Sequence, residues 1–303
     1  MKKTILLLML FNINVYASTG LKIEKINDYV YALVGETKQR STQNLGNNST
    51  HGVVITKTGV IVIDSGASYL GARQIHQAIQ TLTDKPITTV INTGGQDHRW
   101  LGNDYFKTLG ANIIASEKTR NDQIARTDYH LNRLGNLIGD SLKGTKPVYA
   151  NTTFKQRKML NISGVHLELY HFGGAHTLGD IFVWMPQEKI MFSGDIVFVQ
   201  RALGTGPAKN IKSWIKVFEK MASFKPKHII PGHGHTTNLV EATKDTYDYL
   251  VFLRDEVRKV IEEDGDIMQA TDINQDAFKY LKNFEGIARK NAQNAFVQLE
   301  FEE

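Results

Sequence analysis

Three short apolar β runs in this chain each break into a glycine-rich loop that presents histidine or aspartate, and this pattern constrains the fold most. The first junction is INTGGQDHRWLGN at 91–103. The second pairs HFGGAHTLGD at 171–180 with FSGD at 192–195, and the third is IIPGHGH at 229–235. Layered α/β sheets place ligands outside strand ends in this way. Taken singly, a histidine in such a loop reads as a surface residue and an aspartate after a strand as a turn cap. Several junctions converging on one point would instead make a site, because imidazole and carboxylate together suit borderline divalent ions. The chain has no cysteine, which excludes both thiolate ligands and disulfide staples.

The elements around the junctions follow from hydrophobic period. Residues 21–66 read as short β runs with turns, and the β-branched run at 60–63 as a buried strand. Leu70, Ile75, Ile79 and Leu82 have helical spacing over 69–82, and ITTVINT reads as a second buried strand. A short helix is expected at 100–109, a strand at 111–116, and a longer helix or helix pair at 117–142. The second half repeats the order: alternating strands over 154–170, then IFVWMP and KIMFSGD paired around a Pro-Gln-Glu turn, then an amphipathic helix at 211–224. Beyond Asn238 the composition turns charged and helical, with candidates at 240–263, 276–284 and 287–299. Strands then helices, twice over, give a layered α/β architecture. The strand ends at 91–93, 192–195 and 229–231 are expected to be neighbouring central strands opening on one cleft.

The first 17 residues are set apart from the fold. Lys2 and Lys3, the apolar run ILLLMLF at 5–11 and small residues near Ala17 read as a secretory signal peptide, which places the protein in the periplasm or outside the cell. That run is shorter than the roughly 20 residues a bilayer-spanning helix needs, and no later stretch is long enough. The formal charge of +5 falls to +3 without Lys2 and Lys3, and the remaining cations are scattered, so no nucleic-acid footprint is expected. The division expected is 1–17 as signal peptide, 18–238 as the main domain, and 239–303 as a helical extension packed on it.

The pieces AHTLGD, SGD and PGHG, in order and each after a strand, resemble the metallo-β-lactamase superfamily over roughly residues 22–234, with the VIDSG turn at 62–66 included. The tail NAQNAFVQLEFEE is similar to those of exported members, among them zinc metallohydrolases associated with quinoprotein systems. The resemblance implies a four-layer αβ/βα sandwich with a helical C-terminal extension. It also implies a metal-activated water attacking an ester, amide or related bond of a small-molecule substrate. It assigns His176 to a first metal site, Asp195 to a bridging carboxylate and His233 to a second site.

The first junction departs from the family's H-x-H-x-D-H pattern. Aligned without gaps, those positions fall on Gly94, Gly95, Gln96, Asp97, His98 and Arg99. Glycine cannot ligate, an amide oxygen is a poor ligand, and a guanidinium repels a cation. Alternatively the Asp97-His98 pair is the family's pair slid by one residue, with Gly94-Gly95 absorbing a bulge. Either register leaves His176 nearly alone at the first site and keeps His98 with Asp195 and His233 at the second. One ion, zinc, is therefore expected rather than two, with iron an alternative. Asp97 is expected to orient the water or take a proton, and Arg99 to hold a substrate carboxylate or phosphate. The altered loop also admits a non-catalytic binding or accessory protein, and an iron-dependent oxygenase on the same fold. A β-lactam substrate is disfavoured because the missing ligands remove much of the usual site. His51, His76, His130, His166 and His228 read as surface or packing residues, His171 and His235 as near the cleft, Asp64 as a loop brace and Trp100 as core.

Overall fold

The computed structural model describes residues 20–208 and 210–300, so the expected signal peptide lies outside the described residues. Two sheets face each other. The first runs β1 (Lys22–Lys25), β2 (Val30–Val34), β3 (Thr50–Ile55), β4 (Val60–Ile63), β5 (Ile87–Ile91), β6 (Asn112–Ser116) and β7 (Thr152–Phe154), in that spatial order. It is antiparallel as far as β4 and parallel beyond. The second sheet holds β8 (Arg157–Ile162), β9 (Val165–Tyr170), β10 (Phe182–Met185), β11 (Ile190–Phe198) and β12 (His228–His233), ordered 12-11-10-9-8. Only the β11–β12 pair in it is parallel.

Side chains alternate across a strand, and β4 shows what that does here. Ile61 and Ile63 join Phe192, Val183 and Leu169 in the core between the sheets. Val60 and Val62 face outward and pack with Ile75 and Ile79 of helix α1 (Tyr69–Gln80). On the far side of the second sheet, Trp214 and Phe218 of the amphipathic helix at Ile211–Ala222 share a core with Leu253 and Phe296. The result is helix, sheet, sheet, helix, the four-layer arrangement the resemblance implied. The C-terminal extension belongs to that last core, since Phe278, Leu281, Phe284, Ala292 and Leu299 are buried in it.

Three expectations are corrected. The expected helix at 100–109 is two short ones, α2 (Asp97–Trp100) and α3 (Asn103–Thr108), broken where the Gly102 amide donates to the Gly66 carbonyl at 3.0 Å. A side chain at Gly102 would collide with the Ser65 carbonyl, so the break is a close backbone approach. The expected helix at 276–284 is a single turn at Asp276–Phe278, and a helix with a capping box, Ile267–Thr271, precedes it. The strand ending at Ile91 lies in the first sheet, whereas β11 and β12 are neighbours in the second. The three junctions therefore meet across the sandwich and not along one sheet. No helix among the described residues is long and apolar enough to cross a membrane.

Candidate metal centre

The first junction is rebuilt around its two glycines. A side chain at Gly94 would run into Asp180, and one at Gly95 into Asp122. Asp180 is fixed by the Thr177 amide, which donates to it at 2.7 Å, and by the Thr177 hydroxyl. Its burial pushes the Asp180 carboxyl up to about 8. Gln96 is buried on the cavity wall, where its amide oxygen accepts from Arg126 at 3.3 Å.

Helix α2 then delivers His98 and Arg99 to Asp195. The His98 Nε2 lies 3.1 Å from Asp195 Oδ2, and the His233 Nε2 lies 3.3 Å from Asp195 Oδ1. One ligand atom from each of His98, Asp195 and His233 falls within 4.8 Å of the others, and all three residues are buried. Each imidazole is held from behind. The His233 Nδ1–H donates to the Asn48 carbonyl at 2.8 Å, and its ring stacks on Phe198 with centroids 4.6 Å apart. The His98 Nδ1 faces Asp97 Oδ1 at 3.1 Å and the Arg40 guanidinium.

Arg99 is wholly buried and every one of its N–H groups is spent. Its Nε donates to Asp195 at 3.1 Å, and Nη2 to Asp195 at 2.5 Å and to the Gly232 carbonyl at 2.7 Å. Its Nη1 donates to Asp64 at 2.9 Å and to the Thr50 carbonyl at 3.1 Å. This corrects the expectation that Arg99 holds a substrate anion, for it has no donor left. Asp64 accepts in addition from the Thr93 amide and hydroxyl, both at 2.7 Å, and so ties β4 to the end of β5.

The charges follow from this wiring. Burial alone would push the Asp195 carboxyl up, but Arg99 and His98 hold it well below the usual carboxylate range. Burial acts the same way on Asp97 and is overcome by Arg40 and His98. Burial drives His233 far down, so its ring is neutral at neutral pH.

His176 is buried outside that 4.8 Å set, on the wall of the same cavity, with its ring 5.4 Å from Trp214 and 5.5 Å from Phe198. Its Nδ1 has no partner among the described residues, and burial lowers it to about 4. Asp97 sits on the opposite side of the His98 ring from Asp195. Neither His171 nor His235 lines this cavity, for their Nδ1 atoms contact the Asp180 carbonyl and Glu24. His51 lies closer than its strand position indicated, buried at the back of the site, where burial and Arg99 push it down to about 3. Arg40, Arg126, Arg133 and Arg201 line the cavity, although they are isolated from one another between positions 40 and 201 of the sequence.

The profile of the metallo-beta-lactamase superfamily matches residues 46–233. The chain belongs to that superfamily. It is 25% identical over 216 residues to a metallo-beta-lactamase type 2 of Elizabethkingia meningoseptica, covering 70% of this chain and 78% of that one. It is 30% identical over 184 residues to the 2,4-dinitroanisole O-demethylase subunit alpha of Nocardioides sp. strain JS1661, covering 58% and 49%. Among solved structures it is similar to a metallo-beta-lactamase from Pontibacter korlensis, at TM-score 0.60 and 25% identity, over 76% of this chain and 99% of that one. The likeness to TMB-1, at TM-score 0.58 and 24% identity over 77% and 98%, bears on the fold alone. The superfamily match ends at His233, before the C-terminal helices.

Proposed function

We propose that this chain is a periplasmic, single-metal hydrolase of a small-molecule ester, amide or related bond. Zinc would be held by His98, Asp195 and His233, with His176 near or completing the set. One observation carries the reading. The His233 Nδ1 keeps its proton for the Asn48 carbonyl, which leaves the Nε2 lone pair facing a carboxylate oxygen 3.3 Å away. Two acceptors at hydrogen-bond distance are repulsive unless a cation lies between them, and two imidazoles with a carboxylate are zinc's usual donors. A divalent ion held by His98, Asp195 and His233 would supply an acidified water as nucleophile.

The chain's own residues supply the rest. The Asn48 carbonyl fixes the tautomer of His233, and Asp97 with Arg40 fixes the ring of His98. Asp97, with an imidazole between it and the centre, acts as a positioning residue for His98. Phe198 and Trp214 keep water from the far side of His233 and His176. A single ion fits the charge balance: Asp64 and Asp195 share one arginine, and the pair Asp97–Arg40 is neutral, so little negative charge remains for a second dication.

A second reading, a binding protein without catalysis, draws support from the same arginine. Arg99 and the two imidazoles already meet both oxygens of Asp195. Elemental analysis of the purified mature protein, after dialysis against a mild chelator, separates the readings. One zinc per chain, lost in His233→Ala, is the expected result; iron in its place would redirect the reading to an oxygenase. Two equivalents would overturn the single-site reading, and none would favour the binding protein.

A further inference from the structure

We propose that the cavity in front of this centre is a receptor for a small-molecule oxyanion, so that the substrate carries a phosphate, sulfate or carboxylate group. The proposal rests on the reading above only in taking this cavity as the substrate's. The cavity, of about 580 Å³, opens onto His98, His176 and His233. Five cations from separate parts of the chain line it: Arg40, Arg126, Arg133, Arg201 and Lys290. A single carboxylate, Asp122, stands on the same wall, and Arg126 already holds it with Nε 2.9 Å from Oδ1.

Apart from Arg40, which pairs with Asp97, the remaining cations lack partners of opposite charge among the described residues. Arg133 makes no hydrogen bond or ion pair among the described residues, and Arg201 donates to a carbonyl, that of Lys38, at 3.0 Å. Arg40 shares Asp97 with His98 and is 7% exposed, and its Nε is buried with no acceptor among the described residues. Arg133 and Arg99 both act on Arg40 as like charges, and Arg40 acts so on Arg201, which burial and that repulsion lower to about 10. Like charges gathered round a half-buried cavity repel more strongly than in water, since the effective dielectric there is lower. Arg99 shows the alternative, an arginine whose donors are all met internally. A planar guanidinium with free N–H groups matches an oxyanion in two bonds at once, which a lone ammonium does not. Lys290 comes from the C-terminal helix Ala288–Leu299, beyond the end of the superfamily match at His233, so part of this charge is furnished by the extension.

The test is calorimetric titration of the full chain at low salt, stripped on a chelating resin because soluble chelators are themselves polyanions. Phenyl phosphate, benzoate and phenol are the probes. Phenyl phosphate or benzoate should bind, phenol should not, and the tighter of the two anions names the group. Arg133→Gln and Arg201→Gln should each weaken the anion about ten-fold, the loss of roughly one charge-assisted contact. Salt should weaken it further. Equal binding of phenol, no binding of either anion, or affinities unmoved by both replacements would overturn the proposal. The circular-dichroism spectrum of each variant separates lost binding from lost fold. Metal content is read on unstripped protein, so failure of the hydrolase reading and failure of this one are seen separately.

Discussion

Replacing Arg99 by methionine isolates the buried network that underlies the centre. Methionine keeps much of the volume of the stem, so the cavity contribution is small. What is lost is the guanidinium and its five contacts, to Asp195 twice, to Asp64, and to the carbonyls of Thr50 and Gly232. Asp64 and Asp195 are each 1% exposed and would be left buried without their shared cation. Removing one partner of a buried ion pair costs about 3–5 kcal/mol. Two carboxylates depend on this cation, so the upper end, about 5 kcal/mol, is expected. That is a third or more of a typical stability of about 5–15 kcal/mol, and near 10–20 °C in melting temperature for a domain of this size.

Urea unfolding followed by circular dichroism at pH 7 measures it. Asp195 is held below its ordinary value of 3.8, so its stabilising contribution is present above that pH and lost as the pH falls through the depressed value. The gap between wild type and variant should therefore be full at neutral pH and narrow in acid. Adding Asp64→Asn to Arg99→Met should recover part of the loss, because one of the stranded charges is removed. A loss under about 1 kcal/mol at pH 7, the size of an exposed pair, would refute the argument.

Three further outcomes are expected. In His233→Ala the bound ion should be lost, whereas His176→Ala should only weaken it, both read by elemental analysis after dialysis. Gly94→His should not bring in a second ion and should lower the melting temperature, because any side chain there meets Asp180; two ions per chain in that variant would contradict it. Asp180 is raised to about 8 in the fold, so the folded state binds its proton more tightly and this group's contribution declines as pH rises from about 4 to about 8. Asp180→Asn should thus gain stability relative to wild type across that range, and parallel denaturation curves at pH 4 and pH 8 would count against it.

The layers were legible in the sequence because the strand periods are strong: Val60–Ile63 alternates between two cores, and the helix at Ile211–Ala222 buries Trp214 and Phe218 on one face. The order AHTLGD, SGD, PGHG drew attention to His176, Asp195 and His233 because each follows an apolar run. Which sheet each junction belongs to was not legible, since a strand's partners are set by packing across the sandwich and leave no local mark. The fate of Arg99 was hidden for a related reason. Whether a guanidinium faces solvent or two buried carboxylates depends on Asp64 and Asp195, which lie 35 and 96 residues away. Arg40, Arg133 and Arg201 are isolated in sequence and gather only through the fold.

The altered junction exchanges imidazoles for paired charges. Where the family's pattern would place histidines stand Gly94 and Gln96; Gly94 and its neighbour Gly95 let Asp180 and Asp122 approach, and Arg126 closes over Asp122 and Gln96. On the other side Arg40 closes over Asp97, and Arg99 over Asp195. Arginine thus supplies fixed positive charge around one side of the centre, where a second dication would otherwise have to supply it. A fixed guanidinium cannot activate water, but it attracts an anion at any pH in the working range, since arginine does not deprotonate there. The consequence is a separation of tasks within one cavity: hydrolysis would depend on the donors at His98, Asp195 and His233, while affinity for an anionic ligand would persist when those donors hold no metal.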